Sequence, residues 1–136
     1  MSIHRVNPNV IKVFDGEELD AAGGAAPNVT SKWFDVGGWT DKRVSVQVDG
    51  ANTDYDVIMH ISPQHYYELN ELDDSVTTDD YEAVTLLTAN NVQTLTSVDA
   101  EDIDELQRPF RSVRFYVDND SATAVTELDL WVEGWS

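Results

Sequence analysis

Alternation of apolar and polar residues is the dominant pattern of this chain, and it predicts β-strands. In residues 43–49 three valines alternate with polar side chains, and in residues 125–133 two leucines and a valine do the same. Successive side chains of a strand point to opposite faces, so this period of two is typical of strands with one buried face. The other predicted strands are residues 10–14, 29–36, 55–61, 65–69, 84–88, 92–96 and 111–118.

Polar, turn-forming segments between these strands predict hairpins. One is expected to join the strand at 43–49 to the strand at 55–61, and another to join the last two strands. The turns are residues 49–52 and 118–121, with residues 89–91 as a third candidate.

Residues 99–107 are predicted as a short helix, because acids favour the first turn and Asp99 or Ser97 offers an N-cap. Residues 16–28, rich in Gly and Ala, are expected to be a loop or linker. About eight strands joined by polar turns indicate an all-β protein, an antiparallel β-sandwich with one short helix.

A jelly roll is favoured over the immunoglobulin-like alternative, because the strand count is even and the chain has no cysteine for a Cys-Trp-Cys core. We expect residues 1–28 to form an N-terminal arm or loop segment with one possible strand. Residues 29–136 are expected to form the sandwich domain.

The net charge of the chain indicates the environment in which the protein folds. The chain has 26 Asp and Glu against 8 Lys and Arg, a formal net charge of −18, yet its hydrophobic fraction is an ordinary 41%. Such a charge opposes compaction in dilute buffer. At about 1 M salt the Debye length falls to roughly 3 Å and screens the repulsion. The composition favours a halophile, or a virus of one, over an acidic mesophilic protein.

The same composition narrows the partners. Nucleic-acid binding needs clustered cations, and the nearest cluster, Arg108, Arg111 and Arg114, is expected to form salt bridges instead. No signal peptide or apolar run of about 20 residues is present, so we expect a soluble protein with no membrane partner.

The sequence carries no catalytic motif, and we expect no enzymatic activity, cofactor or metal. His60 and His65 with a carboxylate would suit a metal, but surface or interface roles are the favoured interpretation. One acidic segment has an oxygen-rich composition that suits calcium, but a solvated face is favoured because its spacing does not match an EF-hand. Its acids are Asp99, Glu101, Asp102 and Asp104.

The aromatic residues give the candidate site. Alternation turns Trp33 and Trp131 away from the core, Trp39 falls in a turn, Trp135 lies near the C-terminus, and Tyr66 is next to another tyrosine. Exposed aromatics mark interfaces or ligand platforms. We therefore predict that these five residues contact a partner subunit or a sugar ring, with coverage by loops and edges as the alternative.

Three segments resemble a known group of proteins. Residues 31–39 read Ser-Lys-Trp-Phe-Asp-Val-Gly-Gly-Trp and lead into an alternating valine strand, and residues 111–117 and 127–132 form an arginine-bearing strand and a final apolar segment. This texture is similar to small β-sandwich, jelly-roll structural proteins of tailed-virus particles, over roughly residues 29–133. With the acidic composition, the resemblance implies a virion protein of a tailed virus of halophilic archaea.

The function expected from this resemblance is capsid decoration. The protein would be a homo-oligomeric cementing protein on the particle exterior, contacting viral structural proteins such as the major capsid protein. Its N-terminal segment would reach over a neighbouring subunit. A tail or baseplate protein and a carbohydrate-binding module are the alternatives.

Overall fold

The computed structural model describes residues 9–50, 54–90, 95–99 and 101–135, and it shows two antiparallel β-sheets packed face to face. The strands are β1 (Asn9–Leu19), β2 (Asn28–Thr30), β3 (Phe34–Asp35), β4 (Asp41–Asp49), β5 (Asp54–Ser62), β6 (Glu82–Asn90), β7 (Thr96–Asp99), β8 (Ser112–Asn119) and β9 (Val125–Trp135). One α-helix, α1 (Tyr66–Leu72), precedes a 3-10 turn at Asp73–Ser75, and a second such turn lies at Asp104–Leu106. Neither α1 nor any other helix in these ranges has the length and apolarity needed to cross a lipid bilayer.

Strand order identifies the architecture. The first sheet runs β1-β9-β4-β7 and the second β2-β8-β5-β6, with β3 also paired to β8. Because β2 and β3 pair with the same strand, they act as one interrupted strand, and each sheet has four strand positions. Apart from the connection between β5 and β6, which carries α1, each connection between these positions passes to the opposite sheet. The fold is a jelly roll.

The sandwich and its preferred topology are thus confirmed, but the two predicted hairpins are wrong. β4 and β5 lie in different sheets, and so do β8 and β9. Alternation shows which face of a strand is buried, and both sheets bury a face in the same core. The pattern therefore cannot show which strands share hydrogen bonds. Sheets pack about 10 Å apart, a distance that the four residues between β4 and β5 are long enough to cover.

The core lies between the inner faces, where the alternation placed it. Val46 of β4, Phe115 of β8 and Leu130 of β9 are each at most 2% exposed, and they belong to one continuous cluster of buried apolar side chains. Burying such side chains contributes about 1.5–3 kcal/mol each relative to exposure.

Two local predictions are corrected. The strand expected at 65–69 is α1, because the run from Glu68 to Leu72 is made mostly of good helix formers that outweigh the two tyrosines. The helix expected at 99–107 is only the 3-10 turn at Asp104–Leu106. Asp99 instead ends β7, where its carboxylate accepts a hydrogen bond from the Glu101 amide.

Two other predictions fall partly outside the described residues. A strand was expected at residues 92–96, but residues 92–94 lie outside the described ranges. The strand that the structure describes nearby is β7, which begins at Thr96. The candidate turn at 89–91 likewise ends outside the described ranges, and its two flanking strands lie in different sheets.

The N-terminal segment contributes to the first sheet. The possible strand at 10–14 is present, and it continues to Leu19 through three irregularities in its pairing with β9. β1 is therefore an edge strand of the sandwich itself, although it falls within the segment expected as an arm. Residues 1–8, the rest of that segment before β1, lie outside the described residues.

Candidate interaction surface

Helix α1 carries a compact patch of exposed apolar and aromatic side chains, here named the α1 patch: Tyr66, Tyr67 and Leu72. Their side chains are 39%, 50% and 42% exposed. Tyr67 meets Tyr66 edge-on at 5.9 Å between ring centroids and stacks on His65 at 5.1 Å. In the described ranges only two other large hydrophobic residues are exposed, so most of the exposed large apolar side chains there lie on α1.

The outer face of the second sheet carries an aromatic layer made of Trp33, His60, Tyr81 and Arg114, and α1 contacts this layer at Trp33 through Asn70. His60 stacks on Tyr81 with ring centroids 4.1 Å apart. The Arg114 guanidinium lies 4.8 Å from the Trp33 ring and 5.0 Å from the Tyr81 ring. Stacking of this kind suits a cation that is shielded from water.

Trp33 is the clearest correction to the predicted interface set. It points away from the core as the alternation predicted, but it is only 2% exposed. Asn70 of α1 holds it in place, accepting a hydrogen bond from the Trp33 amide at 2.8 Å and donating one to its carbonyl at 3.1 Å. The expected exposure was wrong at this position because a helix, which the sequence had indicated as a strand, covers the ring.

The layer fixes the protonation of His60. Burial, and after it the charge of Arg114, lower the pKa of His60 to about 4. The ring is therefore neutral near pH 7, and its Nδ1 accepts a 2.9 Å hydrogen bond from Arg114 Nε. A protonated ring would lose that acceptor and face the guanidinium as a second cation.

Trp131 and Trp135 lie on the outer face of the first sheet, as predicted for Trp131, but cations lie over their rings. Lys12 Nζ is 5.0 Å from the Trp131 ring, and the Arg43 guanidinium is 5.6 Å from the Trp135 ring. A stacked sugar would compete with these cations, so the arrangement does not favour a carbohydrate platform.

Trp39 is half-buried against the end of β9. A Cβ added to Gly134 would lie 2.1 Å from the Trp39 ring, so only glycine leaves room for that ring. The structure thus separates the five predicted residues into a buried Trp33, three partly covered tryptophans and an exposed Tyr66. It does not gather them into one surface.

Of the three arginines that were expected to form salt bridges, Arg108, Arg111 and Arg114, one does so among the described residues. Arg108 pairs with Glu82 at 2.5 Å, as expected. Arg111 contacts the His65 ring, and Arg114 joins the aromatic layer. His60 and His65 thus have separate partners, and the structure does not bring them together as metal ligands.

Asp56, Asp118 and Asp120 form an acidic cluster at one end of the second sheet. They offer oxygen atoms that all lie within 4.8 Å of one another, as a cation site requires. Burial, followed by the contact with Asp120, raises the pKa of both Asp56 and Asp118. The four acids at 99–104 do not converge in this way; Asp99 and Asp102 accept hydrogen bonds from backbone amides.

Sequence reasoning missed most of the α1 patch and the whole aromatic layer. A signal was present: Trp33, His60 and Arg114 all fall on the outward side of their predicted strands, and two of the three are aromatic. Aromatic side chains on a nominally polar face indicate that another element covers them. That element was predicted as a strand, so the cover was not recognised.

Comparison with solved structures places this geometry among known folds. The VP2 subviral particle of infectious bursal disease virus matches with a TM-score of 0.53 and 10% identity over 98% of this chain. T=1 particles derived from infectious bursal virus match equally, at TM-score 0.53 and 10% identity over 98%. The chain spans only about a third of those chains, 34% and 33%. At this identity the likeness shows the fold alone.

Sequence comparisons add nothing further. No protein-family model matches the chain, and no curated protein does.

Proposed function

We propose that this protein is a structural component of a virus particle, specifically a decoration or cementing protein on the exterior of a tailed virus that infects halophilic archaea. The observation that carries the proposal is the complete jelly-roll strand order, in a fold that matches chains from two virus-particle structures over 98% of this chain. The resemblance of residues 31–39 and 111–132 to tailed-virus proteins points the same way. The protein acts by binding rather than by catalysis.

The distribution of side chains supports an orientation on the particle. The end of the sandwich with the connections after β1, β4, β6 and β8 is acidic and nearly free of cations in the described residues, and we name it the acidic end. In the described strands and loops there, Lys12 is the one cation that reaches in, pairing with Asp15 at 2.8 Å and Asp129 at 3.5 Å. The opposite end also carries acids, but cations lie among them: Lys42, Arg108 and Arg111. The α1 patch lies toward the opposite end, and it faces the capsid while the acidic end faces solvent.

Copies of the chain are expected to assemble with one another, because small structural modules commonly form symmetric oligomers. The major capsid protein is the proposed partner of the α1 patch. Three exposed apolar side chains on one helix suit the buried centre of such an interface, where aromatic residues contribute most.

Quantitative mass spectrometry of purified particles tests this function. A decoration protein is expected in copy numbers comparable to the major capsid protein. A handful of copies per particle would identify a tail or baseplate protein instead. Absence from the particle would overturn the virion role altogether.

A further inference from the structure

A cavity of about 400 Å³ opens between the β2–β3 connection, α1 and β8, beside the aromatic layer. Its lining includes Ser31, Lys32, Trp33, Asn70, Asp73 and Arg114. It thus combines two cations with one acid, in a chain whose net charge is −18. This local excess of positive charge distinguishes the cavity from the acidic surface around it.

Arg114 reaches this cavity with part of its hydrogen-bonding capacity unused. Its Nε donates to His60 Nδ1 at 2.9 Å, and its plane lies beside two aromatic rings. Across the described ranges no carboxylate lies within 4.0 Å of it, and its two terminal nitrogens have no hydrogen-bond acceptor there. The residue is half-buried, and its terminal nitrogens are not among the buried atoms, so they remain accessible from the cavity and free to bind an anion.

Trp33, another lining residue, has a second unused donor, which is buried behind the cavity surface. The residue is 2% exposed, and its indole N–H has no acceptor among the described residues. Buried donors without a partner are uncommon in native proteins and call for an explanation such as an absent ligand. Lys32 also belongs to the lining; it is exposed, and its Nζ lies 5.5 Å from the Phe34 ring.

We propose that this cavity binds a carboxylate group, with the terminal nitrogens of Arg114 as the principal donors and Lys32 as an additional cation of the lining; the unpaired Trp33 indole N–H belongs to the ring that Arg114 contacts. A planar carboxylate matches the fork of a guanidinium, which binds both oxygens at once. A single negative charge also suits a cavity that contains Asp73, whereas a phosphate would bring more repulsion. The carboxylate belongs either to a small organic acid or to an Asp or Glu side chain of a neighbouring protein. This site does not depend on the virion role proposed above.

Titration of ¹⁵N-labelled protein with potassium acetate tests the site. Acetate replaces chloride at constant potassium concentration and pH, and the indole N–H signals are followed by two-dimensional NMR. The Trp33 signal, assigned by its loss in Trp33→Phe, is expected to shift and saturate, while those of Trp39, Trp131 and Trp135 stay in place. No saturable shift, or the same shift in all four signals, would overturn the proposal.

Substitutions distinguish two-point binding by the Arg114 guanidinium from simple attraction to its positive charge. Arg114→Lys keeps the charge but loses the two-pronged geometry, so acetate affinity is expected to fall about tenfold. Arg43→Lys, on the other sheet, is the matched control and should leave affinity unchanged. Asp73→Asn removes the one acid of the lining and should tighten binding. An unchanged midpoint in Arg114→Lys, with folding verified by circular dichroism, would contradict the assigned donor.

The source of the carboxylate follows from two capped peptides, Gly-Glu-Gly and Gly-Gln-Gly. Stronger binding of the Glu peptide than of acetate indicates a protein side chain as the natural ligand. Equal binding of the Glu peptide and acetate indicates a small acid. Equal binding of the Glu and Gln peptides would overturn carboxylate recognition.

Discussion

At Trp33, one side chain is turned away from the core and yet almost fully buried, so direction and exposure are separate properties of a residue. Direction follows from strand parity, which the local sequence contains. Exposure depends on what lies above the strand, and here that is Leu69 and Asn70, more than thirty residues further along the chain. His60 and Arg114 follow the same logic, because each lies on an outward strand position inside a covered layer.

The first residue-scale prediction compares two tryptophans on outer sheet faces. Trp33→Ala is expected to lower the free energy of unfolding by about 3 kcal/mol, because it leaves a cavity under α1 and removes the ring beside Arg114. Trp131→Ala, at a partly covered surface position, should cost about 1 kcal/mol or less. Urea unfolding in molar salt measures both. Equal losses in the two variants would mean that α1 does not cover Trp33.

The second residue-scale prediction concerns the pH dependence of the free energy of unfolding. The pKa of His60 is about 4 in the folded protein and about 6.5 when unfolded. The contribution of neutral His60 to the free energy of unfolding is therefore present above pH 6.5. It is lost as the pH falls toward 4, because over that range only the unfolded chain binds the proton. Between pH 7 and 5.5 the loss is about 1 kcal/mol.

His60→Asn is the variant that isolates this effect, because Asn supplies an acceptor for Arg114 Nε but does not titrate. Its stability is expected to stay level between pH 7 and 5.5, whereas the wild type declines. His65 is unchanged in both proteins and serves as an internal control. Parallel pH profiles for the two proteins would show that His60 is not held neutral.

At the scale of elements, the sequence predicted β4, β5, β6, β8 and β9 well and their pairing poorly. It predicted β1 only over residues 10–14, because the loop expected from residue 16 begins inside the strand, which continues to Leu19. Period-two alternation depends on the pleat of each strand, so residues 43–49 and 125–133 were sufficient to identify β4 and β9. Pairing depends on contacts between distant segments, and β9 lies between β1 and β4 rather than beside β8. The candidate site was less predictable still, because Tyr66 was found by adjacency while Tyr67 and Leu72 depend on the helix.

Helix α1 carries its own prediction about binding. Tyr67→Ser and Leu72→Ser each remove apolar surface from the α1 patch without touching the buried Leu69. Each is expected to weaken binding to stripped parent particles about tenfold, with little change in melting temperature. Quantitative co-sedimentation with particles measures the affinity.

Leu95→Ser is the matched control for Leu72→Ser, because Leu95 is 57% exposed but precedes β7, at the acidic end. It should leave particle binding unchanged. If it weakens binding as much as Leu72→Ser does, the contact is not specific to α1 and the proposed orientation is wrong.

At the scale of the whole molecule, repulsion between carboxylates is the main electrostatic term that opposes folding. The acidic cluster and the pair Glu127 and Asp129 lie at the same end of the two sheets, and the pKa of Glu127 is raised chiefly by Asp129. Across the described ranges just three ion pairs form, two of them with Lys12. Screening by dissolved salt therefore has to offset most of the repulsion.

Melting temperature is accordingly expected to rise between 0.1 M and about 1 M potassium chloride, where the Debye length shrinks from roughly 10 to 3 Å. Asp118→Asn, within the acidic cluster, should raise the low-salt melting temperature more than Asp74→Asn, an exposed acid outside that cluster. Calorimetry across a salt series measures this, with a chelator present so that no divalent cation bridges the cluster. A flat profile would contradict salt adaptation.

The position of β1 has a consequence for how the protein is made. Among the described strands, β1 is hydrogen-bonded only to β9, so the first of these strands to be synthesised must wait for the last of them. At translation rates of 5–20 residues per second, that wait is on the order of 10 s. Throughout it, an unpaired strand is open to association with other nascent chains, and the density of carboxylates along the polypeptide keeps those chains apart until the sheet can close.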